Sequence, residues 1–356
     1  MLVLGSKNEG GSSSQYTSTT VTTVECTSFD SGINLINSYM NKKVYLSHCK
    51  IIVLSESLAK EGVASYIATF ENNTELRPDC NIIVSRCSAE DFLNNSSPGL
   101  ETLSARYYEL ALSSSEYTGY TDNITLHSFF FAYDNDFIQA TAILGGINTD
   151  ATHKQNTDVS YASIDGNYKA DETPIKHATN LETMGLAVFK GDKMVGELTG
   201  IESMSHLMIT NTFNSSSITI PNPFSQNEII DLSIYKNKDT INDVQLVNGL
   251  PYIKSYINLD AYVISSGENL DFTKEENIEL LEKYAESYLE EKVISYLYKT
   301  SKEFQSDIVG FGRKLSKNYL TINDFKELDW LNIYDNSFFD VEVNVRLRSS
   351  QLLLKN

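Results

Sequence analysis

Near the end of the chain, apolar and polar residues alternate without a break: Val341, Val343, Val345 and Leu347 against Glu342, Asn344, Arg346 and Arg348. Successive side chains of an extended strand point to opposite faces, so a period of two specifies a strand with one buried and one solvated face. One-sided burial is characteristic of antiparallel sheets, and an antiparallel strand is what the pattern predicts. A second strong period lies just upstream. Ile278, Leu281, Ala285, Leu289, Val293, Ile294 and Leu297 recur at helical spacing and predict one long helix over residues 273–304, with Glu279 and Lys283 as an i,i+4 pair. A long helix beside half-buried strands is an α+β arrangement.

The rest of the chain extends that reading. Strand-like runs at 229–235, 241–247 and 252–264 follow the breaker Pro221-Asn222-Pro223. Strands are also predicted at 16–26, 44–54, 81–85 and 184–189, and helices at 30–41, from Ser55 to the break at Arg77-Pro78-Asp79, from Ser88, and over 100–112. Residues 124–133 and 137–144 read as a β-hairpin turning at Asp134-Asn135, and 196–209 as a helix after a turn at Gly191-Asp192. Residues 10–15 are a flexible segment by composition, and 148–180 a long polar loop. The organisation expected is α+β with three mixed α/β domains, each a small sheet packed with helices: residues 1–118, 119–210 and 211–356.

Composition narrows the function classes. A content of 41% hydrophobic residues is that of a folded protein, and the formal charge of −19 supplies no basic footprint for nucleic acid or for an anionic membrane surface. No apolar stretch approaches the roughly 20 residues of a membrane helix. The clearest short run is Phe129-Phe130-Phe131-Ala132, and the first residues carry no signal-peptide pattern.

Chemistry-bearing motifs are sparse. The four cysteines, Cys26, Cys49, Cys80 and Cys87, allow two disulfides in three pairings or free buried thiols, and their spacing is not that of a zinc site. His48 and Cys49 are sequence neighbours in a strand-like run, where they face opposite ways, against a Cys–His nucleophile pair. His153 and His177 share the polar loop, with a shared metal as the minor reading. Gly310-Phe311-Gly312 follows a helix and reads as a turn between helices before it reads as a nucleotide loop. Glu90 and Asp91 suit a helix start, and Asp307 a helix cap. Tyr284, Tyr288, Tyr296 and Tyr298 on the long helix form either a core seam or the lining of a ligand groove. No cofactor, metal or catalytic set is predicted from these residues.

Four stretches, in order, carry a resemblance. His48, Lys50, Ile51–Leu54, Glu56, Ala59 and Gly62 fit the spacing H-x-K-h-h-h-h-x-E-x-h-A-x-x-G, where h is apolar. Glu75-Leu76-Arg77-Pro78 is followed by a short apolar strand and Ser88-Ala89-Glu90-Asp91. Gly185–Lys190, Lys193–Leu198 and Glu202-Ser203 form the third, and Asp307-Ile308-Val309-Gly310-Phe311-Gly312 with Trp330 downstream the fourth. Together, over most of the chain, they resemble the Ger(x)C family, the C-subunit lipoproteins of bacterial spore germinant receptors. The resemblance implies a non-enzymatic, three-domain protein tethered by lipid (palmitate) on the outer face of the inner spore membrane. It would work there beside A- and B-type membrane subunits in nutrient-triggered germination, with no nucleic-acid partner. The lipobox cysteine expected by that resemblance is not in the sequence, so the chain reads as beginning inside the mature protein or as a shortened member. Other readings are a binding protein for an amino-acid or nucleoside germinant, and a hydrolase assembled near His127, His153 or His206.

The motif residues His48, Glu56, Ala59, Gly62, Arg77, Pro78, Gly196, Asp307, Gly310 and Gly312 are expected to be structural. Gly62 and Gly196 suit tight turns, Pro78 ends a helix, and His48, Glu56, Arg77 and Asp307 tie strand–helix joints through hydrogen bonds and ion pairs.

Overall fold

A computed structural model describes residues 2–7, 19–95, 104–148, 166–175, 181–225, 228–265 and 274–348. In chain order the described elements begin with β1 (Leu2–Lys7), β2 (Thr19–Val24), α1 (Phe29–Tyr39) and a 3-10 turn at Leu46–His48. There follow β3 (Ile51–Ser55), α2 (Glu56–Glu61), α3 (Ala64–Glu71), β4 (Asn81–Ser85), α4 (Ala89–Asn94), α5 (Ser104–Ser113), α6 (Ser115–Thr118) and α7 (Leu126–Tyr133). Next come β5 (Thr141–Ile147), β6 (Leu181–Lys190), β7 (Lys193–Leu198), α8 (Gly200–Thr210), β8 (Ser215–Pro221), β9 (Ile229–Val247) and β10 (Leu250–Ser265). The chain continues through α9 (Glu275–Tyr298), α10 (Phe311–Ser316), α11 (Ile322–Lys326), α12 (Trp330–Tyr334) and β11 (Phe338–Leu347).

These elements make an α+β fold with three sheets. β1 and β2 form an antiparallel pair. A mixed sheet has the order β3-β4-β5-β6-β7, with β3, β4 and β5 mutually parallel and β6 and β7 antiparallel to their neighbours. The other has the order β11-β10-β9-β8. The five-stranded sheet draws β3 and β4 from before residue 118 and β5, β6 and β7 from after it, so both stretches share one core.

Helix α8 lies between the two larger sheets, touching β6 and β7 on one side and β9, β10 and α9 on the other. It is therefore buried almost throughout, although its sequence includes Ser203, Ser205 and His206. Each of these polar groups is satisfied: the serines donate to the Thr199 and Ile201 carbonyls, and His206 pairs with the Tyr296 hydroxyl of α9. Helix α9 buries Leu281, Ala285, Leu289, Val293, Tyr296 and Leu297 as a single stripe, then passes into a π-helical turn at Lys299–Glu303.

Five local expectations are corrected. The predicted hairpin at 124–144 is instead helix α7 followed by β5. Thr125 and Ser128 form a capping box, and Leu126, Phe129 and Ala132 make a buried stripe at threefold spacing. The helix predicted over 196–209 starts only at Gly200, because Thr199 and Glu202 close another capping box and the preceding residues complete β7. The helix predicted from Ser55 is divided at Gly62-Val63 into α2 and α3, and Pro78 lies in the turn before β4. The strand at 341–348 is half-buried as predicted but pairs with β10 in parallel. Alternation reports which face is covered and carries no direction; the α9 crossover between β10 and β11 sets the direction. The runs at 229–235 and 241–247 are one bent strand, β9, whose register against β10 shifts near Tyr256 and Asn258. Residues 10–15, and 149–165 and 176–180 of the predicted polar loop, lie outside the described residues.

Candidate functional site

Asp307 lies just past the π-helical turn and is fully buried. Its Oδ1 accepts the backbone N–H groups of Gly310 (2.8 Å) and Phe311 (3.1 Å), and its Oδ2 those of Gly312 (2.8 Å) and the Trp330 indole (2.8 Å). The carboxylate thus caps the start of α10 and fixes α12, while its own carbonyl accepts the Gln139 N–H at the approach to β5. Burial pushes its carboxyl above the usual range, against the pull of these four donors. Gly310 has φ +80°, and a Cβ on Gly312 would lie 2.5 Å from Trp330 Cδ1. The flat Trp330 ring reaches Asp307 because position 312 carries no side chain.

Gly196 belongs to the same junction. It lies inside β7 rather than at a turn, and a Cβ there would meet Phe304 Cε1 at 2.1 Å. The structure therefore brings Gly196, Asp307, Gly310 and Gly312 together where the segment after α9 docks on the five-stranded sheet. Ser306 reinforces that contact by donating to the Phe189 carbonyl at 2.6 Å. The other motif residues stand elsewhere. Gly62, at φ +140°, ends α2 where a Cβ would meet the Asp192 carboxylate at 2.6 Å, and Val63 N–H donates to the Asp192 carbonyl. Ala59 is buried beneath it, and Glu56 pairs with Lys60 one turn on. His48 is exposed in the 3-10 turn, so the strand geometry expected for it and Cys49 does not apply. Arg77 is exposed and pairs with Asp79 two residues away, while the Pro78 carbonyl accepts the His127 N–H.

The remaining sequence candidates separate in space. His206 is enclosed, with Nδ1 2.7 Å from the Tyr296 hydroxyl, and burial pushes it down to about 4. His127 is exposed beside Glu71 at 3.5 Å. His153 and His177 lie outside the described residues. Of the α9 tyrosines, Tyr296 is core while Tyr284 is exposed. The four cysteines are free thiols. Arg86, after β4, gathers Asp171, Glu172 (2.9 Å) and Glu197 (3.5 Å), a cluster the sequence reading missed because its members are 85 or more residues from Arg86. Buried Glu182 accepts from Thr173, Asn148 and the Asp171 N–H, so this network pins residues 166–175 to the sheet. Among the described residues, no group of three or more His, Cys, Asp and Glu is arranged to hold a metal.

The outward face of the four-stranded sheet is the surface these contacts leave open. β10 buries Ile253, Ile257, Leu259, Ala261 and Val263 on one side, so Tyr252, Tyr262 and Ile264 project from the other. Register places Tyr235 and Ile241 of β9 and Phe338 of β11 on that same side. All six are exposed, Ile241 at 63% and Phe338 at 55%, and the Tyr235 and Tyr262 rings meet edge to face at 5.7 Å. Around them Lys254 pairs with Asp340, and Arg348 with Asp260. Apolar side chains concentrated on one exposed face, with ion pairs between them, are the composition of an interaction surface. The signal was present in the sequence as the even-numbered half of β10, but only the fold shows that no layer of the described residues covers it.

The profile of the spore germination protein N-terminal domain matches residues 2–149, and that of the spore germination B3/GerAC like, C-terminal domain matches residues 184–351. YfkR, a protein of Bacillus subtilis (strain 168) named for spore germination, is 20% identical over 314 residues, covering 88% of this chain and 73% of its own. A crystal structure of the GerBC protein shares the fold at a TM-score of 0.57 and 14% identity, with 98% of each chain covered. Among the described residues, no helix is long and apolar enough to cross a membrane. The two profiles together span most of the chain, and the chain belongs to the Ger(x)C family of spore germination proteins.

Proposed function

We propose that this protein is a non-catalytic subunit of a germinant receptor. In this reading an N-terminal lipid holds it on the outer face of the inner spore membrane, where it docks onto A- and B-type membrane subunits. The observation that carries the reading is the exposed aromatic face of the four-stranded sheet, built on a rigid support. Tyr235, Tyr252, Tyr262 and Phe338 are presented by long paired strands whose other side is core. Family-motif side chains such as Asp307 act behind that face as internal ties, which supports a role in holding a shape rather than in turning over a substrate. Aromatic side chains on a preformed surface contribute contact area at small cost in side-chain entropy.

The test is co-purification from spore membranes. Tagged full-length protein should bring down the A- and B-type subunits, and the double substitution Tyr235→Glu, Tyr262→Glu should abolish the association and germination while leaving the melting curve in place. Association unchanged by those two charges would reject this face as the docking surface. Failure of the intact protein to associate at all, or tight binding of a free amino acid or nucleoside by calorimetry, would favour a soluble germinant-binding role.

A further inference from the structure

Cys49 and Cys80 meet where the chain enters β3 and β4. Their Sγ atoms are 3.5 Å apart, with the Cys80 thiol directed at Cys49 and the Cys49 thiol also 3.2 Å from the Ile51 carbonyl. The backbone fixes this meeting. β3 and β4 are parallel neighbours with Ile51 opposite Asn81, and the Asn81 N–H donates to the Lys50 carbonyl at 2.9 Å. Cys49 stands one residue before that carbonyl and Cys80 one residue before that N–H. A disulfide needs its sulfurs about 2.05 Å apart, so a closure of about 1.5 Å separates the two thiols from a bond.

The two sulfurs differ in access. Cys80 is 1% exposed, whereas Cys49 is half-buried and follows the exposed pair Ser47 and His48. Hydrogen bonding to Cys80 draws the Cys49 thiol below its ordinary range, and that same bond together with burial drives Cys80 well above its own. A small reagent therefore meets Cys49 first, with Cys80 placed behind it as the resolving thiol. Neither sulfur serves in the motif contacts around Asp307 or on the open sheet face.

We infer that Cys49 and Cys80 are an oxidation site, at which a low-molecular-weight disulfide is exchanged for an intramolecular disulfide linking the entry of β3 to the entry of β4. In the first step Cys49 gives its proton to solvent, and its sulfur attacks one sulfur of the reagent. The reagent's S–S bond breaks, one thiolate leaves and is protonated, and a mixed disulfide remains on Cys49. In the second step Cys80 loses its proton and attacks Cys49 Sγ, expelling the second thiolate. Two protein thiols are oxidised by two electrons and one reagent disulfide is reduced to two thiols. The closed loop contains β3, α2 and α3, and with them Glu56, Ala59, Gly62, Arg77 and Pro78. It restricts the unfolded chain and should raise the melting temperature by about 5 °C.

The full chain, first reduced and desalted, is incubated with oxidised glutathione and followed by intact mass and peptide mapping. The expected product has lost the mass of two hydrogens, carries a Cys49–Cys80 crosslink and melts higher. Cys80→Ser should stop at a glutathione adduct on Cys49, and Cys49→Ser should give neither adduct nor crosslink. Persistence of both thiols, a stable glutathione adduct on the unmodified sequence, or a crosslink through Cys26 or Cys87 would overturn the assignment. The mapping of the unsubstituted chain decides the matter even if a serine variant fails to fold.

Discussion

Glu286 on α9 accepts the backbone N–H of Val345 on β11, with 3.1 Å between Oε1 and N. It is the middle rung of three: Glu290 accepts from Val343 at 3.1 Å and Glu282 from Leu347 at 2.8 Å. Four residues of helix rise about 6 Å and two residues of strand about 6.6 Å, so glutamates spaced by four meet every second N–H of the strand. β11 is the last strand of its sheet, and these are the donors an edge would otherwise offer to a second chain. The carboxylates of α9 close that edge.

Replacing Glu286 by alanine should therefore cost about 1.5–3 kcal/mol in urea unfolding, the range for one hydrogen bond to a charged group. Replacing Glu282, Glu286 and Glu290 together should also expose the edge and give concentration-dependent self-association on size-exclusion chromatography. A triple variant that stays monomeric and as stable as the parent sinks the protective role.

Asp307→Ala removes the shared acceptor of three backbone N–H groups and the Trp330 indole, all buried. The expected loss is at least about 3 kcal/mol. Trp330 is the only tryptophan in the chain, so its fluorescence reports the same site. Emission should shift to the red in the folded variant as the indole loses its partner and water enters. Unchanged emission and stability would mean the carboxylate is dispensable.

Gly196→Ala drives a methyl to within 2.1 Å of the Phe304 ring unless one of them moves. Overpacking of this kind should destabilise by about 2 kcal/mol. Trimming the ring with Phe304→Leu should recover part of that loss in the double variant, giving a favourable coupling in a mutant cycle. Strictly additive effects would show that the two positions do not contact.

His206 gives a pH dependence. Burial holds it at about 4 in the folded state, below its ordinary 6.5. Between those values the unfolded chain binds a proton that the folded chain does not, so this group's contribution is complete above pH 6.5 and is lost as pH falls toward 4. The full difference corresponds to about 3 kcal/mol. Unfolding free energies measured from pH 7 to 4 should fall less steeply in His206→Gln, by about one proton's worth of slope, and parallel curves would refute this assignment.

The local sequence determined which stretches are helical or extended wherever a period was clean. The stripe from Leu281 to Leu297 is the core face of α9, and the alternation from Val341 to Leu347 is the half-buried strand β11. It also determined the family, since the ordered motifs from His48 to Trp330 need no structure to be read. It did not determine how elements meet. The apolar run before Tyr133 suits a strand or a helix equally, and only the capping box and the neighbours of α7 choose the helix. The direction of β11 follows from the α9 crossover, and the single strand β9 follows from pairing with β10 across two register shifts. The partners of Asp307, Gly196 and Cys80, and the open side of the sheet bearing Tyr235 and Tyr262, belong to the tertiary structure alone. Periodicity is a property of one segment, whereas a contact between residues tens of positions apart exists only once packing has selected one arrangement of those segments.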